Sequence, residues 1–303
     1  MTSRLNLKIW PSGDGFPFPS LNVDCLAAIA YFQLLWRTTD NAVNWTIISD
    51  WDASQSPNGQ FPVLSCSCEK EIAGILNIFQ HVGSCDSING HSDLNSWMNE
   101  DELADCTAWS SHVLTLGTQL LDLYLFITYE NYYSTTRPAY TAFLPLYANY
   151  TIPPAHQKAA EKRTEHLGLA TILGEIDDEP RMQPISLRTG GVDPSASASA
   201  SFTEKIGFGN RKEILSKAQK RMRLESIVAR FLEPLEELLG KKRYFLSNKS
   251  PSSLDALVLA YLSLILEVKV PDRWAAEIVE NSKLTDWIKR EAPHIYGNAP
   301  NKG

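Results

Sequence analysis

The stretch SPSSLDALVLAYLSLILEVKVP, from Ser250 to Pro271, carries eleven uncharged residues between Asp255 and Glu267. Because an α-helix rises ~1.5 Å per residue, this run covers about 17 Å, which is too short for a bilayer core of ~30 Å. The run is also apolar on nearly every helical face, a pattern typical of a helix buried inside its own domain. The sequence therefore predicts a central core helix here and not a membrane span.

The start of this helix is marked by Ser252 and Asp255, which have the S-x-x-D spacing of a capping box. In that motif the serine side chain accepts a hydrogen bond from a first-turn N–H, and the acid reaches back to the N–H of the capping residue. Asp255 is therefore predicted to be a structural carboxylate. General acid or base work is not expected of it, because no histidine or second acid lies near it in sequence.

The whole chain has the composition of a globular protein. Its 303 residues are 44% hydrophobic and 21% charged, which is enough apolar material for a sizeable core. The net charge of −7 argues against a nucleic-acid partner, since affinity for phosphates depends on basic side chains. The five scattered cysteines are odd in number and fit reduced thiols better than a disulfide framework.

Residues 1–85 predict a small α/β domain. Period-two alternation and helical spacing follow one another in the order strand, helix, strand, strand, helix. A loop rich in proline and glycine separates the first strand from the first helix, and the turn SPNGQ precedes the third strand. The predicted elements are strands at residues 4–10, 44–50 and 61–67 and helices at residues 21–36 and 69–82.

Residues 93–300 predict an all-helical domain that carries an insertion. Helical patterns cover residues 93–129, begin again at residue 161, and form a strong apolar stripe over residues 211–239 before a glycine stop. Residues 174–205 are rich in proline, glycine, serine and alanine and poor in large apolar side chains. Such a segment buries too little surface to offset its ordering entropy, so a disordered insertion is predicted.

A second apolar run, from Cys106 to Tyr129, is long enough to cross a bilayer but contains Asp122. An aspartate at the bilayer centre is unfavourable by roughly 2.5 to 3.5 kcal/mol even on the lenient scale. A core helix is the favoured interpretation of this run as well.

Two features of the chain resemble glutathione transferases. In LEELLGKKRYFLSNKSPSSLDALVLAYLSLIL, residues 235–266, a helix ends in a glycine and a capping box then opens the central helix. In NGQFPVL, residues 58–64, a turn leads into a strand at the place of the family's cis-proline, which implies a cis bond before Pro62. The resemblance implies an α/β thioredoxin-like N-terminal domain plus an all-α glutathione-transferase-like C-terminal domain.

The chain more closely resembles the metaxins, in particular the metaxin-one branch and its larger fungal counterpart. That resemblance implies a subunit of the mitochondrial sorting and assembly machinery, on the cytosolic face of the mitochondrial outer membrane. It implies binding to an Omp85-type membrane β-barrel and to a second metaxin-like subunit, and support for the folding, membrane insertion and release of β-barrel precursors. The similar blocks are residues 7–32, 56–64, 130–140 and 243–271.

The sequence departs from this branch at its end, because metaxins of this kind commonly carry a C-terminal membrane anchor and residues 272–303 provide none. Two interpretations stay open: the chain is a truncated form, or its partners alone hold it at the membrane.

Glutathione-dependent transfer is the alternative function, and two positions weigh against it. The reaction needs a hydroxyl or thiol near the end of the first strand, where Ser12 is the one candidate. It also needs a small hydroxyl side chain after the cis-proline strand, and Glu71 stands there. A carboxylate would repel the glutathione α-carboxylate, so no catalytic and no cofactor-binding residue is expected.

A metal site is not expected either. Cys66 and Cys68 share a strand face, and His81, Cys85 and His91 follow, but this spacing fits no common zinc pattern. Free structural thiols are the favoured interpretation.

Two surfaces are predicted to contact the membrane or partner subunits. Residues 131–154 are aromatic, proline-rich and almost uncharged, a composition enriched at interfaces and at lipid headgroups. Packing of these rings inside the helical domain is the slightly favoured alternative. A basic stretch near the start of the 211–239 helix could bind anionic lipids or an acidic subunit, or be an ordinary solvated face. The candidate residues are Tyr132, Tyr133, Tyr140, Phe143, Tyr147, Lys217, Lys220, Arg221 and Arg223.

Overall fold

The structure of the protein is a computed structural model, which describes residues 5–13, 15–38, 45–65, 71–84, 93–169 and 201–297. Side chains of the helix that begins at residue 201 are described from residue 218 onward. Within these ranges the first half of the chain is α/β and the second half is helical.

The described strands of the first half form one sheet with the order β2-β1-β3-β4. β1 pairs in parallel with β2 and antiparallel with β3, and β3 pairs antiparallel with β4. Alternate residues of β1 are buried, which explains the period-two pattern in the sequence. The strands are β1 (Leu5–Ile9), β2 (Trp45–Ser49), β3 (Val63–Ser65) and β4 (Glu71–Ala73).

Two helices flank this sheet, α1 (Val23–Thr38) and α2 (Ile75–Ser84). The helix predicted over residues 69–82 is partly wrong, since its first described residues form β4 and the helix begins only at Ile75. The break falls at Gly74, whose φ of 89° is a left-handed conformation that favours glycine. α1 is buried on most of its faces because it packs between the sheet and the helical half.

The helical half is interrupted by three π-helical stretches, at Val113–Gly117, Asp122–Ile127 and Tyr132–Thr136. The first two join α3 and α4 into one nearly continuous rod over residues 100–127, which ends where Thr128 takes an extended backbone with a ψ of 111°. The third joins α5 to α6 after this break. The sequence predicted one or two regular helices over residues 93–129. The helices are α3 (Glu100–His112), α4 (Thr118–Leu121), α5 (Tyr129–Asn131), α6 (Arg137–Thr141), α7 (Leu146–Asn149), α8 (Ile152–Thr164), α9 (Ser201–Leu239), α10 (Ser253–Glu267), α11 (Trp274–Glu280) and α12 (Leu284–Tyr296).

The central helix α10 is buried from Ser253 to Ile265 and packs against α1 of the first half. Its capping box is complete, because the Asp255 carboxylate accepts from the Ser252 N–H at 2.8 Å and the Ser252 side chain accepts from the Asp255 N–H at 3.4 Å. The Phe245 N–H also donates to Asp255, at 2.9 Å, so the box fixes the preceding connection to α10. No helix in the described part of the chain combines the length and apolarity needed to cross a membrane.

The structure differs from the sequence-based expectation at two further places. The helix expected to begin at residue 161 is instead the end of α8, which closes through a 3₁₀ turn at Glu165–Leu167. The disordered insertion predicted over 174–205 lies outside the described residues up to residue 200, and residues 201–205 belong to α9.

Candidate functional site

A cavity of about 360 Å³ lies where the first turn of α1 faces the helical half. We call it the interdomain cavity. Its walls come from Leu21 to Asp24 on one side and from α4, α8 and α10 with the second π-helical stretch on the other. The lining residues are Leu21, Asn22, Val23, Asp24, Thr118, Leu121, Asp122, Leu125, Phe126, Tyr140, His156, Ala159, Arg163, Tyr261 and Leu264.

An ion pair between Asp122 and Arg163 borders this cavity. The guanidinium donates from Nε to one carboxylate oxygen at 2.7 Å and from Nη2 to the other at 2.8 Å. Asp122 is buried, and burial raises the pKa of its carboxyl while Arg163 opposes the rise. The bidentate geometry lets this carboxylate stay charged inside the helical half.

Asp24 lies in the first turn of α1 and also faces the cavity. Its pKa is raised to about 6 by burial. Asn22 is the residue that caps this helix, because its side-chain oxygen accepts from the N–H groups of Asp24 and Cys25.

Two hydrogen-bonded pairs of side chains complete the polar part of the cavity wall. The Tyr140 hydroxyl and His156 Nδ1 are 2.9 Å apart, and the Tyr261 and Thr118 hydroxyls are 2.7 Å apart. Burial and then the Arg163 charge lower the pKa of His156, which favours its neutral form. His156 is therefore a half-buried part of the cavity wall.

The loop after β1 is packed directly against the helical half. A Cβ on Gly13 would lie 2.4 Å from the Ala142 Cβ, so the two segments can meet only because residue 13 has no side chain. The Ser12 hydroxyl donates to the Phe18 carbonyl at 2.5 Å. The Trp10 ring lies edge-to-face against Tyr140 and Phe143, with ring centroids 5.9 Å apart in both pairs.

The structural residues chosen from the sequence lie in the core. The Phe61–Pro62 peptide bond is cis, and Ser252 and Asp255 are buried in the capping box described above.

The aromatic segment divides between core and surface. Tyr132 and Tyr140 retain only 1% and 4% of their exposure, so placing them on a partner surface is wrong. Both rings pack in the interior, and Phe143 is half-buried against Trp10. Tyr133 and Tyr147 are exposed.

Tyr147 belongs to a larger exposed group on and after α7. Leu146, Tyr147 and Tyr150 are 80%, 70% and 77% exposed. We call these three residues the aromatic patch. The sequence-based choice missed Leu146, although it lies in the segment that had been singled out.

The basic stretch of α9 is less basic than its sequence suggests. Arg221 forms an ion pair with Glu225 at 3.0 Å, Arg223 is exposed, and Lys220 is half-buried beside the acidic residues Asp272 and Glu277. The Lys217 side chain lies outside the described residues.

The cysteines predicted to be free thiols are only partly described. Cys25 and Cys106 are buried free cysteines, whereas Cys66, Cys68 and Cys85 lie outside the described residues. Among the residues that are described, no group of three or more ligating side chains could hold a metal ion.

Comparison with known proteins places these features in a family context. A model of the Tom37 family, described as an outer mitochondrial membrane transport complex protein, matches residues 25–157. The chain is 26% identical to human metaxin-1 over 272 residues, which is 89% of this chain, and 24% identical to bovine metaxin-1 over a similar share. The chain is metaxin-like.

The metaxin-like chain spans 46% of the length of human metaxin-1 and 68% of the bovine protein. A model of the glutathione S-transferase C-terminal domain matches residues 228–290, which contain α10 and its capping box. These similarities support a role connected with transport at the mitochondrial outer membrane.

Solved structures confirm the predicted fold class. A glutathione S-transferase of Ceriporiopsis subvermispora, solved with glutathione, superposes with a TM-score of 0.56 at 12% identity and covers 99% of both chains. A glutathione transferase of Phanerochaete chrysosporium gives 0.55 at 12% identity over 96% of this chain and 98% of its own. The metaxin-like chain therefore has a glutathione-transferase-like fold, and identity this low shows the fold alone.

The two positions weighed against glutathione chemistry can now be examined. Ser12 uses its hydroxyl proton within its own loop. Glu71 lies on β4 and pairs with Lys8 at 2.7 Å, while Gly74 and Ile75, at the start of α2, bring no hydroxyl. The Glu71 carboxylate is thus engaged in the sheet, and its pKa is lowered by the hydrogen bond from Lys8.

Proposed function

We propose that this chain is a non-catalytic subunit of the mitochondrial outer-membrane sorting and assembly machinery, positioned on the cytosolic face. In this role it binds an Omp85-type membrane β-barrel and a second metaxin-like subunit. It supports the folding, membrane insertion and release of β-barrel precursors.

The observation that carries the proposal is the similarity to metaxins over 89% of the chain. The geometry of the loop after β1 supports a non-catalytic role. A thiolate needs a free hydroxyl or thiol donor, but the Ser12 hydroxyl already donates to Phe18 and helical residues 139 and 142 lie against Gly13.

The test is affinity purification of the tagged full chain from mitochondrial outer membranes, solubilised in mild detergent. The proposal expects an Omp85-type barrel and a second metaxin-like chain to co-purify. Depletion of the chain should also slow assembly of an imported β-barrel precursor, while import of a matrix protein stays unchanged. Normal barrel assembly after depletion contradicts the proposal.

The alternative is a glutathione-dependent transferase, a class of enzyme whose fold this chain shares. Retention on immobilised glutathione together with turnover of 1-chloro-2,4-dinitrobenzene would establish it. The proposal expects neither, and a Ser12→Ala variant provides the control that any weak turnover does not come from the loop hydroxyl.

A further inference from the structure

The carboxylate of Asp24 lies in the first turn of α1, where the helix N-terminus favours a negative charge, but no side chain neutralises it. Among the described residues, no hydrogen-bond donor or basic side chain pairs with it, and the capping role at the start of α1 is taken by Asn22. An acid in a partly buried cavity without such a partner is unfavourable for the folded protein, because burial penalises its charge. Among the described residues, the Asp24 carboxylate therefore faces the cavity without a neutralising side chain.

The other charges at the cavity are already neutralised. Asp122 and Arg163 neutralise each other through two hydrogen bonds. His156 is paired with the Tyr140 hydroxyl and is neutral. The cavity is left with one excess negative charge, on Asp24.

The remaining wall is apolar. Leu121 and Leu125 from the rod, Phe126 beside them, and Leu264 from α10 line the cavity. Its volume of about 360 Å³ lies at the lower end of the 300–1,000 Å³ range of small-molecule sites. An occupant that matches these surfaces has a single positive charge and a short apolar body.

We propose that the interdomain cavity binds a primary ammonium group carried on a short apolar stem. The Asp24 carboxylate is its counter-ion, and the leucine and phenylalanine side chains hold the stem. An anionic ligand is disfavoured by Asp24, and glutathione, with two carboxylates, is disfavoured for the same reason. The inference concerns a different ligand class from the proposed function and stands independently of it.

Calorimetric titration of the full chain with n-hexylamine at about pH 7.5 tests the site, with hexanoate and hexanol as probes of charge and stem. We expect hexylamine to bind at least about tenfold more tightly than the other two, because a charge-assisted contact contributes that much. Equal affinity for hexanol overturns the proposal.

Asp24→Asn keeps the shape of the side chain and removes its charge. We expect it to weaken hexylamine binding about tenfold or more. Asp286→Asn is the matched control, since Asp286 is also a first-turn aspartate but lies exposed on α12. This control variant should bind hexylamine with unchanged affinity. Circular dichroism of both variants checks folding. Unchanged binding by a folded Asp24→Asn variant overturns the proposal.

The pH dependence provides a second, variant-free measurement. Hexylamine stays protonated below pH 8, so affinity should fall between pH 7.5 and 5 as Asp24 takes up a proton. The other charged or titratable groups facing this region are Asp122, Arg163, His156, Tyr140, Tyr261 and Cys25. His156 could repel the amine when protonated, so an equal loss in Asp24→Asn would assign the effect to His156 and contradict the role of Asp24.

A final arm identifies the source of the ammonium group. The peptide acetyl-Leu-Lys-Leu-amide presents the same group on a polypeptide. Tighter binding of this peptide than of hexylamine would point to a lysine side chain, and weaker binding to a free amine. Absence of binding by both probes overturns the proposal.

Discussion

Asp24 and Asp255 show how one residue type meets opposite surroundings in this fold. Burial raises the pKa of both carboxyl groups to about 6. Asp255 is held by three donors, from Ser252 and Phe245, whereas Asp24 faces a cavity. Because the folded protein raises the carboxyl pKa above the unfolded value of about 3.8, the protonated carboxyl stabilises the fold. This contribution is fully present below about pH 3.8 and is lost as the pH rises through about 6. At neutral pH the charged form of Asp24 therefore destabilises the fold.

Asp24→Asn should consequently stabilise the protein at pH 7.5. We expect a gain of roughly 1–2 kcal/mol in the free energy of unfolding, allowing for the part exposure of Asp24. Urea unfolding measures it, and the difference from the original chain should shrink as the pH falls from 7 to 4. The control Asp286→Asn, at an exposed first turn, should change stability by no more than about 0.5 kcal/mol. A destabilised Asp24→Asn variant contradicts this account.

Asp255→Ala should have the opposite effect. It leaves the N–H groups of Phe245 and Ser252 without an acceptor in the core, so we expect a loss of about 2–4 kcal/mol in the free energy of unfolding. Glu102→Ala is the matched control, because Glu102 has the same role in the capping box of α3 but in an exposed position. Glu102→Ala should lower the free energy of unfolding by about 1 kcal/mol or less. Equal losses in a denaturant titration would show that burial of the box is irrelevant.

At the scale of elements, α10 could be predicted because its evidence is local. A capping motif, eleven uncharged residues and a flanking turn lie within one window. β4 could not, since three residues are too few to show alternation. The π-helical stretches were also missed: each adds a residue to a helical turn, and the first of them packs against helices far away in sequence.

One such partner is visible at Gly117, in the first π-helical stretch. A Cβ at this position would lie 2.7 Å from Tyr261 Cδ1 on α10 and 3.2 Å from the Phe231 ring on α9. The rod can therefore approach the two helices only with glycine there.

Gly117→Ala is expected to destabilise the protein despite the better helix propensity of alanine. Overpacking of a core typically lowers the free energy of unfolding by about 1–3 kcal/mol, and the better helix propensity of alanine raises it by at most about 1 kcal/mol. Urea unfolding should therefore show a net loss of up to about 2 kcal/mol. Ser111→Ala, at an exposed position of α3, is the control and should change stability by less than about 0.5 kcal/mol. Unchanged stability in Gly117→Ala would mean that the rod shifts freely.

At the scale of the whole molecule, the sequence predicted the fold class but not the interdomain cavity. Asp24, Asp122 and Arg163 are far apart in the chain and meet only through the packing of α1, α8 and the second π-helical stretch. One signal was available: an aspartate inside an apolar helix needs a basic partner, which made Asp122 a reason to search for an arginine. The aromatic segment likewise gave no indication of which rings turn inward, because a π-helical stretch and the short helices α6 and α7 follow one another there and no single period covers them.

The aromatic patch carries the last prediction, which rests on the proposed function. Exposed tyrosine side chains are enriched at protein interfaces, and the exposure of Leu146, Tyr147 and Tyr150 gives these side chains little role in the fold. Replacing Leu146, Tyr147 and Tyr150 together by serine should therefore reduce co-purification of the membrane partners about tenfold, with the free energy of unfolding changed by less than about 1 kcal/mol. The matched control replaces Leu76 and Leu103, which are 52% and 47% exposed on α2 and α3, by serine. If the control variant loses the membrane partners to the same extent, removal of any exposed apolar side chains has this effect, and the aromatic patch is not the partner contact.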